Sequence, residues 1–594
     1  MSPSEAPATT SPYSLSAPAP DAAATVSAAL GKLAPLLSDQ RGRLAAALAA
    51  TLVSSAMGLL GPAIIARAVD RYMRAGDFHG VLVSAGVLLA CYMTGLVATY
   101  VQAQQMGRVG RFVLFKLRNR LFGKLQELPL EFFHRNKAGD LISRINNDTD
   151  KLNQFFAQAL VQVAANAVAM TGAAVFMLAL HPRLGLAALA PAAAAFVVTR
   201  VVAGWVKRKN AASMQALGAL SGGVQEGLSN FRVIAAFNRG DYFERLFGEV
   251  NERNYHAAVS AGIANTTLIP LYGLALSLAQ VTVLAYGFYL ISSGALTVGL
   301  LIGFLLYVNS FYMPMRQLAA VWSSFQMARA SLDRISAVLS LEGGLAQLPP
   351  EPPAGGPAVA FDHVGFSYVP GRPILRDATF AFERGKTYAL VGPTGGGKTT
   401  TALLMARLFD PQEGRVLLDG RDIRSMTPAE RAARIGFILQ EPFLFTGTVR
   451  DNIVYGNEPL QTMGDVELEA TLGAKKLDAL VQRFSEGLAT KVTSAGEGLS
   501  LGQKQIVAFI RAVLREPDLL ILDEATANID TVTEQLLEDI LRDLPPSTTK
   551  VVIAHRLNTI ENADEILFIN AGEITRAGSM QDALELLLHH KRDS

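Results

Sequence analysis

Long apolar stretches alternate with polar, basic segments through the first half of the chain. Six of these stretches approach the roughly 20 residues that a helix needs to cross a bilayer. They cover residues 44–69, 81–101, 157–180, 184–206, 268–291 and 298–315. Four of them contain a proline, which spanning helices tolerate. The pattern therefore predicts an all-α membrane domain with six spanning helices.

The polar segments differ strongly in length and charge on the two sides of this predicted domain. Segments 102–156 and 207–267 are long and rich in Lys and Arg, whereas the turns at 181–183 and 292–294 are short. This bias predicts that the long segments and both termini lie in the cytoplasm. Helical periodicity continues through 112–128, so we expect long cytoplasmic extensions of the helices.

The amino-acid composition also indicates that part of the chain faces lipid. Half of the residues are apolar and 18% are charged, whereas soluble proteins carry about 25% charged residues. The net charge of +2 gives no argument for nucleic acid as a partner. Cys91 is the single cysteine, which rules out an intramolecular disulfide and a cysteine-based metal cluster.

Composition also divides the chain into domains. Residues 1–30 are rich in Ala, Ser, Pro and Thr and lack the layout of a signal peptide, so they are predicted to be a disordered tail. The transmembrane domain is then 31–340. A proline-rich linker is predicted at 341–357. From 358 to 594, strand-like and helical runs alternate, which is typical of an α/β domain.

A glycine-rich loop in this last domain predicts nucleotide binding. Residues 392–399 match G-x-x-x-x-G-K-[ST] between a predicted strand, 387–391, and a predicted helix, 400–408. Backbone N–H groups of such a loop bind phosphate, the lysine adds charge and the hydroxyl binds Mg²⁺. The predicted cofactors are therefore ATP and Mg²⁺. The candidate residues are Gly392, Pro393, Thr394, Gly395, Gly396, Gly397, Lys398, Thr399 and Thr400.

A second motif supplies carboxylates. The apolar run 519–522 predicts a strand that ends in Asp523 and Glu524. Asp523 is expected to hold Mg²⁺ through water, and Glu524 to polarise the attacking water as general base. Alone, such a pair is a weak signal, and downstream of a phosphate-binding loop it becomes a strong one. The whole domain is thus predicted to be an α/β P-loop ATPase.

Residues 499–503 read L-S-L-G-Q, and with them the chain resembles an exporter-type ABC transporter. It is similar to half-transporters of the type IV fold, including bacterial heterodimeric multidrug and lipid exporters. The resemblance runs from the first predicted span to about residue 588. It implies that two ATPase domains meet head to tail, so Ser500, Gly502 and Gln503 would cap the partner's nucleotide. Taken alone, the same pattern is more often an ordinary N-cap of a helix, which is predicted here at 503–514.

The resemblance also assigns four further residues. Tyr368 would stack on adenine, and Gln440 would sense Mg²⁺ and the γ-phosphate. His555 would contact the γ-phosphate, and Asp530 would couple the two sites. Without the resemblance, each of these residues could equally have an ordinary role in packing or on the surface.

Two segments are similar to the loops that connect membrane and ATPase domains in this family. Residues 132–144 resemble the first intracellular loop, whose short helix docks on an ATPase domain. Residues 222–229 are a weaker match for the second contact.

The sequence departs from the family pattern in the L-S-L-G-Q motif. Leu501 stands where the family has glycine, and a side chain there crowds the approach to the partner's ATP. Residues 527–530 also differ from the common S-A-L-D. Heterodimers of this family pair such a chain with a different partner. The partner has the family's L-S-G-G-Q signature motif but lacks the catalytic glutamate. A heterodimer is therefore favoured, and a homodimer stays open.

The expected function is ATP-driven export or flipping of amphipathic or hydrophobic substrates across the bacterial inner membrane by alternating access. The expected partners are a second half-transporter, membrane lipids and a small-molecule substrate. A homodimeric exporter, a lipid flippase, a chelate importer, and an ATP-gated channel or regulatory subunit remain alternatives. Soluble machines that remodel nucleic-acid complexes are excluded by the six spans.

Polar and aromatic side chains within the spans are candidates for a substrate site, with helix packing as an equal alternative. They are Gln158, Gln162, Asn166, Gln280, Tyr286, Tyr289, Tyr307, Asn309, Phe311, Tyr312, Met313 and Met315.

Overall fold

The computed structural model describes most of the chain and divides it into two units. The described residues are 13, 15, 38–352, 354–493, 496, 498–523, 530–553, 560–577, 581, 582 and 585. The helical unit consists of Leu15–Gln126 and Lys137–Leu341. The sheet unit consists of Met1–Ser14, Glu127–Asn136 and Glu342–Ser594. The predicted disordered tail, 1–30, lies outside the described residues except for Tyr13 and Leu15.

Helices account for the first part of the chain. They are α1, Arg41–Arg67; α2, Phe78–Glu127; α3, Leu130–Arg135; α4, Ala138–Ser143; α5, Thr149–Gln154; α6, Leu160–Leu180; α7, Pro182–Ser229; α8, Phe231–Ala236; α9, Gly240–Ser292; and α10, Val298–Leu339. Short π-helical segments at Ala68–Met73, Arg144–Asp148 and Phe155–Ala159 join some of them. Six of the resulting helices are long and apolar enough to span a membrane, which confirms the predicted all-α domain.

Several spanning helices extend far beyond a bilayer. Helix α2 has 50 residues and α9 has 53, so each is about 75–80 Å long at 1.5 Å per residue. A hydrocarbon core is only about 30 Å thick. The predicted cytoplasmic extensions are therefore present. The predicted contact at residues 222–229 lies within α7, and the separate short helix α8 follows it.

Small residues and two tyrosines fill the interior of the membrane helices. Ala173, Ala188 and Ala279 are fully buried, which allows the helix backbones to approach closely. The hydroxyl of Tyr307 donates to the carbonyl of Leu59 at 2.8 Å, and that of Tyr312 donates to the carbonyl of Ala188 at 2.9 Å. Both side chains are fully buried. These two substrate candidates are therefore packing residues.

An ion cluster connects the second π-helical segment to α10. The Asp148 side chain is 4% exposed, and Arg334 Nε donates to its carboxylate at 2.8 Å. Ser331 Oγ donates to the same carboxylate at 3.0 Å. Because this carboxylate is buried, its hydrogen bonds hold the two helices in one register.

We expect Asp148→Asn to destabilise the helical unit by about 1–2 kcal/mol, since it removes a charged acceptor from partly exposed Arg334. The measurement is the unfolding temperature of the protein in lipid nanodiscs. Asp150→Asn is the matched control, because Asp150 is half exposed in its pair with Arg118. Surface pairs contribute at most about 1 kcal/mol. Equal losses in the two variants would contradict the assignment.

The sheet unit contains twelve described strands. They are β1, Val359–Phe366; β2, Leu375–Phe382; β3, Thr387–Val391; β4, Glu413–Leu418; β5, Arg421–Asp422; β6, Ile435–Ile438; β7, Gly447–Thr448; β8, Lys491–Val492; β9, Leu519–Asp523; β10, Thr549–Ile553; β11, Glu565–Asn570; and β12, Glu573–Ala577. A six-stranded sheet has the order β12-β11-β3-β10-β9-β6, in which only β12 is antiparallel. An antiparallel sheet has the order β2-β1-β4-β5, and β7 pairs with β8.

Helices alternate with these strands. They are α11, Lys398–Met405; α12, Pro428–Arg434; α13, Val449–Ile453; α14, Glu458–Gln461; α15, Asp465–Ala474; α16, Asp478–Val481; α17, Leu501–Val513; and α18, Thr531–Arg542. All five residues of β9 are buried, as expected of a parallel strand covered on both faces. The predicted α/β domain is confirmed.

Helix α3 belongs to the sheet unit although it lies between two membrane helices in the sequence. Phe132 is fully buried, and Leu130 packs against the sheet's core. Arg135 donates to the backbone carbonyl of Tyr368 at 2.9 Å. The His134 ring meets the edge of Phe409, with the ring centroids 5.9 Å apart. This helix therefore packs within the sheet unit, next to Tyr368.

Candidate functional site

The parallel strands bring several candidate residues to one edge of the sheet. The loop that ends in Lys398 follows β3, and Asp523 is the last residue of β9. Gln440 follows β6 by two residues. Because β3, β10, β9 and β6 are parallel neighbours, their carboxyl ends meet at the same edge, where α/β sheets bind ligands.

Two candidates lie outside the described residues. Glu524 and His555 are among the residues that the structure leaves out, so their side chains are not part of the geometry below. In the sequence, Glu524 directly follows β9, and His555 follows the last residue of β10 by two positions.

The phosphate-binding loop depends on glycine at its two ends. Gly397 caps α11 with a φ of 115°, in the left-handed region that favours glycine. Gly392 has a φ of 146°, and a Cβ there would lie far inside van der Waals contact with the carbonyl oxygen of Ile569. The loop therefore passes close to β11, and no other residue fits at Gly392. Helix α11 begins at Lys398, two residues earlier than the sequence predicts.

Lys398 lies at the centre of this loop. Its side chain is buried, and its ammonium donates to the carbonyls of Gly392 at 2.9 Å and Pro393 at 3.0 Å. The Thr401 hydroxyl donates to the carbonyl of Gly397 at 3.0 Å, which secures the first turn of the helix. The loop thus combines a positive charge with a helix N-terminus, and both attract phosphate.

The two threonines after Lys398 have different environments. Thr399 is exposed, and its hydroxyl has no hydrogen bond to any described residue. Thr400 is buried, and its hydroxyl lies 3.3 Å from that of Tyr368. Asp523 is 3% exposed. A hydroxyl without an internal partner and a carboxylate at the same sheet edge fit the oxygen ligands that Mg²⁺ prefers.

Tyr368 presents an aromatic surface beside the loop. Its ring is held edge-on by Phe366, with centroids 4.9 Å apart, and by Phe409, with centroids 5.3 Å apart. The side chain is still 36% exposed. Burial raises the pKa of the Tyr368 phenol above its usual value, so the ring stays neutral. This arrangement suits stacking against a planar base.

The signature segment forms a complete helix cap. The Ser500 hydroxyl accepts from the Gln503 backbone at 3.1 Å, and the Gln503 side chain accepts from the Ser500 backbone at 2.9 Å. This capping box starts α17 at Leu501, two residues before the predicted start at Gln503. Leu501 is 39% exposed at the first helical position, and Gly502 follows it. The N-cap interpretation is therefore confirmed for the isolated chain.

Asp530 caps the next helix, α18. Its carboxylate accepts from the Thr533 hydroxyl at 2.7 Å and from the Thr533 backbone at 3.0 Å. These hydrogen bonds lower the pKa of the exposed Asp530 carboxyl, so it stays ionised. A negative charge is thus present just beyond the segment that contains Glu524.

Sequence reasoning missed Arg135 and Phe409 as neighbours of the Tyr368 position. Arg135 is separated from Tyr368 by 233 positions in the chain, and no motif marks it. Only the resemblance of residues 132–144 to a docking loop indicated that this region contacts an ATPase domain.

The fold and this sheet edge together define a membrane-embedded P-loop ATPase. The transmembrane region of ABC transporters matches residues 44–315, and the ABC transporter ATPase family matches residues 375–527. An uncharacterized ABC transporter ATP-binding protein of Bacillus subtilis is 33% identical over 92% of this chain and 91% of its own length. A fatty acid ABC transporter ATP-binding/permease protein of Mycobacterium bovis is 33% identical over 86% and 80%. A multidrug resistance ABC transporter ATP-binding and permease protein of Lactococcus lactis is 30% identical over 83% of each chain.

The chain therefore belongs to the ABC transporter family. It is an exporter-type half-transporter in which a membrane domain and an ATPase domain are fused. It is a multi-pass membrane protein that binds ATP in a cytoplasmic domain and couples ATP hydrolysis to transport.

Proposed function

We propose that this chain is one half of a heterodimeric exporter of amphipathic molecules in a bacterial inner membrane. Its relatives include proteins named for fatty acid transport and for multidrug resistance, and a fatty acid is an amphipathic molecule. The described residues contain six candidate spans, and the proposed ATP site needs two chains, so a second half-transporter completes the exporter.

The contrast between the two halves of the ATP site supports the heterodimer. On the phosphate-binding side, the proposal is supported by the Gly392–Lys398 loop, Thr399 and Asp523, which lie at one sheet edge. On the signature side, the exposed Leu501 side chain stands at the helix start that would face the partner's nucleotide. This chain thus contributes a phosphate-binding loop that matches the family pattern and a signature motif that departs from it at Leu501. A partner with the opposite pair of features would give one competent site.

Exposed aromatic surfaces also favour pairing. In the sheet unit, Phe445 stacks on Tyr455 at 4.3 Å, and Phe443 and Phe445 remain largely exposed. In the helical unit, Phe231 at the start of α8 and Phe237 just after it are 64% and 73% exposed. Apolar surfaces of this kind commonly mark protein interfaces, and each is available to the second half-transporter.

In the proposed cycle, Lys398 and the loop amides bind the phosphates, and Tyr368 stacks on the base. Bound Mg²⁺, held by the Thr399 hydroxyl and through water by Asp523, would supply charge that neutralises the phosphoryl oxygens. Gln440 and His555 contact the γ-phosphate side, and Glu524 accepts a proton from the attacking water.

In the assembled exporter, Ser500, Gly502 and Gln503 cap the nucleotide on the partner, and Asp530 couples the two sites. Closure of the two ATPase domains around ATP shifts the membrane halves from inward-open to outward-open. Hydrolysis then reopens the ATPase domains and resets the membrane halves.

The deciding experiment measures ATPase activity in lipid nanodiscs, with this chain alone and with a candidate second half-transporter from the same organism. We expect activity mainly in the mixture, because the Leu501 signature supports hydrolysis poorly. Leu501→Gly should raise the activity of this chain alone, since it removes the obstructing side chain. Full activity of the unmodified chain alone would show a homodimer and overturn the heterodimer.

A further inference from the structure

One residue of the N-terminal tail, Tyr13, contacts the end of helix α3 within the sheet unit. The Asn136 side-chain amide donates to the backbone carbonyl of Tyr13 at 2.8 Å, across 123 positions of the chain. The Tyr13 side chain is partly buried. Burial raises the pKa of its phenol, and the carboxylates of Glu131 and Glu342 raise it further, because both lie within electrostatic reach of the hydroxyl. Tyr13 thus occupies a defined place beside α3 and the start of the linker.

Tyr13 is placed to hold both ends of this short helix. Glu131 lies in the first turn of α3, and Asn136 is its C-cap. The Asn136 amide also donates to the carbonyl of Phe132 at 2.8 Å, so one side chain joins the last turn of the helix to the tail. Isolated helices shorter than about 12–15 residues are marginal in water, and α3 has six residues. It therefore depends on the contacts around it, and the contact with Tyr13 is one of them.

The linker near Tyr13 is itself fixed to the sheet unit. The guanidinium of buried Arg407 donates to the carbonyl of Ala346 at 2.6 Å. The backbone N–H of Leu348 donates to the carbonyl of Arg424 at 3.0 Å. The surface that Tyr13 meets is therefore held by the body of the sheet unit rather than by the tail.

Helix α3 supports the aromatic surface of Tyr368 by two routes. Arg135 Nε donates to the Glu131 carboxylate at 2.8 Å, and Nη2 of the same guanidinium donates to the Tyr368 carbonyl at 2.9 Å. The His134 ring meets the edge of Phe409, which in turn holds the Tyr368 ring edge-on. A change in the position of α3 would therefore reach both the backbone and the ring of Tyr368.

We infer that the N-terminal tail is anchored through Tyr13 as a strap, which holds α3 in place and through α3 positions Tyr368 against the base of ATP. The inference rests on the proposed function in one respect, the stacking of Tyr368 on the base. It makes Tyr13 a positioning residue, which acts through α3 rather than on the nucleotide itself. The strap should therefore affect the part of the affinity that comes from the base, and not the part that comes from the phosphates.

The test compares this chain in lipid nanodiscs with a variant that lacks residues 2–20. Competition against a fluorescent ATP analogue gives the affinities for ATP and for tripolyphosphate, which has the phosphates but no base. We expect the deletion to weaken ATP binding at least about threefold, which is part of the affinity that stacking on one aromatic side chain supplies. Tripolyphosphate binding should stay the same. Equal losses for the two ligands would show a general disturbance of the domain and would overturn the inference.

Hydrogen exchange of the α3 amides gives an independent measure of the strap. The deletion should speed this exchange about fivefold, the effect of losing about one hydrogen bond, while exchange in β9 stays unchanged. A variant that lacks only residues 2–10 is the matched control, because it keeps Tyr13. It should match the unmodified chain in exchange and in ATP affinity.

A double-mutant cycle assigns the effect to the contact itself. Asn136→Ala removes the donor to the Tyr13 carbonyl, so the deletion should change α3 exchange less in this background than in the unmodified chain. Equal effects in the two backgrounds would show that the tail acts elsewhere and would overturn the inference. An unchanged ATP affinity after the deletion would overturn it as well. None of these readouts needs transport or a second half-transporter, so a homodimer would overturn the proposed heterodimer and leave them unaffected.

Discussion

Glu524→Gln should reduce ATP turnover of the assembled transporter at least about 100-fold while leaving ATP binding intact. The amide has nearly the same size as the carboxylate but cannot accept the proton of the attacking water. The change leaves in place Lys398, Thr399 and the loop amides, which are proposed to bind the nucleotide. ATP should therefore stay trapped between the two ATPase domains, and the transporter should stop in the closed state.

Two readouts test this expectation. Phosphate release gives turnover, and retention of radiolabelled ATP after rapid desalting gives trapping. Glu516→Gln is the control, because Glu516 is an exposed carboxylate whose partner is Lys475 and which lies away from the sheet edge. Its turnover should match that of the unmodified protein. Fast turnover of Glu524→Gln would show that another group is the base.

Elements fixed by local patterns were predictable from the sequence. The six spans follow from uninterrupted apolar runs, and β3 and β9 follow from short apolar runs that end at a loop or a carboxylate. The phosphate-binding loop was predictable because its glycines and lysine are dictated by backbone approach and charge, and both act within a few residues.

Elements that depend on distant contacts were not predictable in the same way. Tyr307 and Tyr312 read equally well as cavity or packing residues, and only the carbonyls of Leu59 and Ala188 decide for packing. The π-helical segment Phe155–Ala159 leaves no mark in the composition of the sequence. The starts of α11 and α17 were each predicted two residues too late. Gly397 and Ser500 are the N-caps of these helices, so the helices begin at Lys398 and Leu501.

Gly392→Ala should weaken ATP binding at least about tenfold. Alanine strongly disfavours the φ of 146° found at this position, and its Cβ would collide with the Ile569 carbonyl of β11. Backbone at a strand end cannot retreat as a flexible side chain can, so the loop itself has to move. The carbonyl of Gly392 also accepts from Lys398, so this movement would displace the ammonium from the phosphate site.

The measurement is the affinity for a fluorescent ATP analogue, and we expect it to fall at least about tenfold, which corresponds to the roughly 1–3 kcal/mol of strain at such a position. Gly487→Ala is the control, since Gly487 also has a positive φ, of 53°, but the nearest atom to a Cβ there is 3.9 Å away. That variant should lose some stability but bind ATP normally. If both variants bound ATP equally well, the close approach of the loop to β11 would not be what shapes the phosphate site.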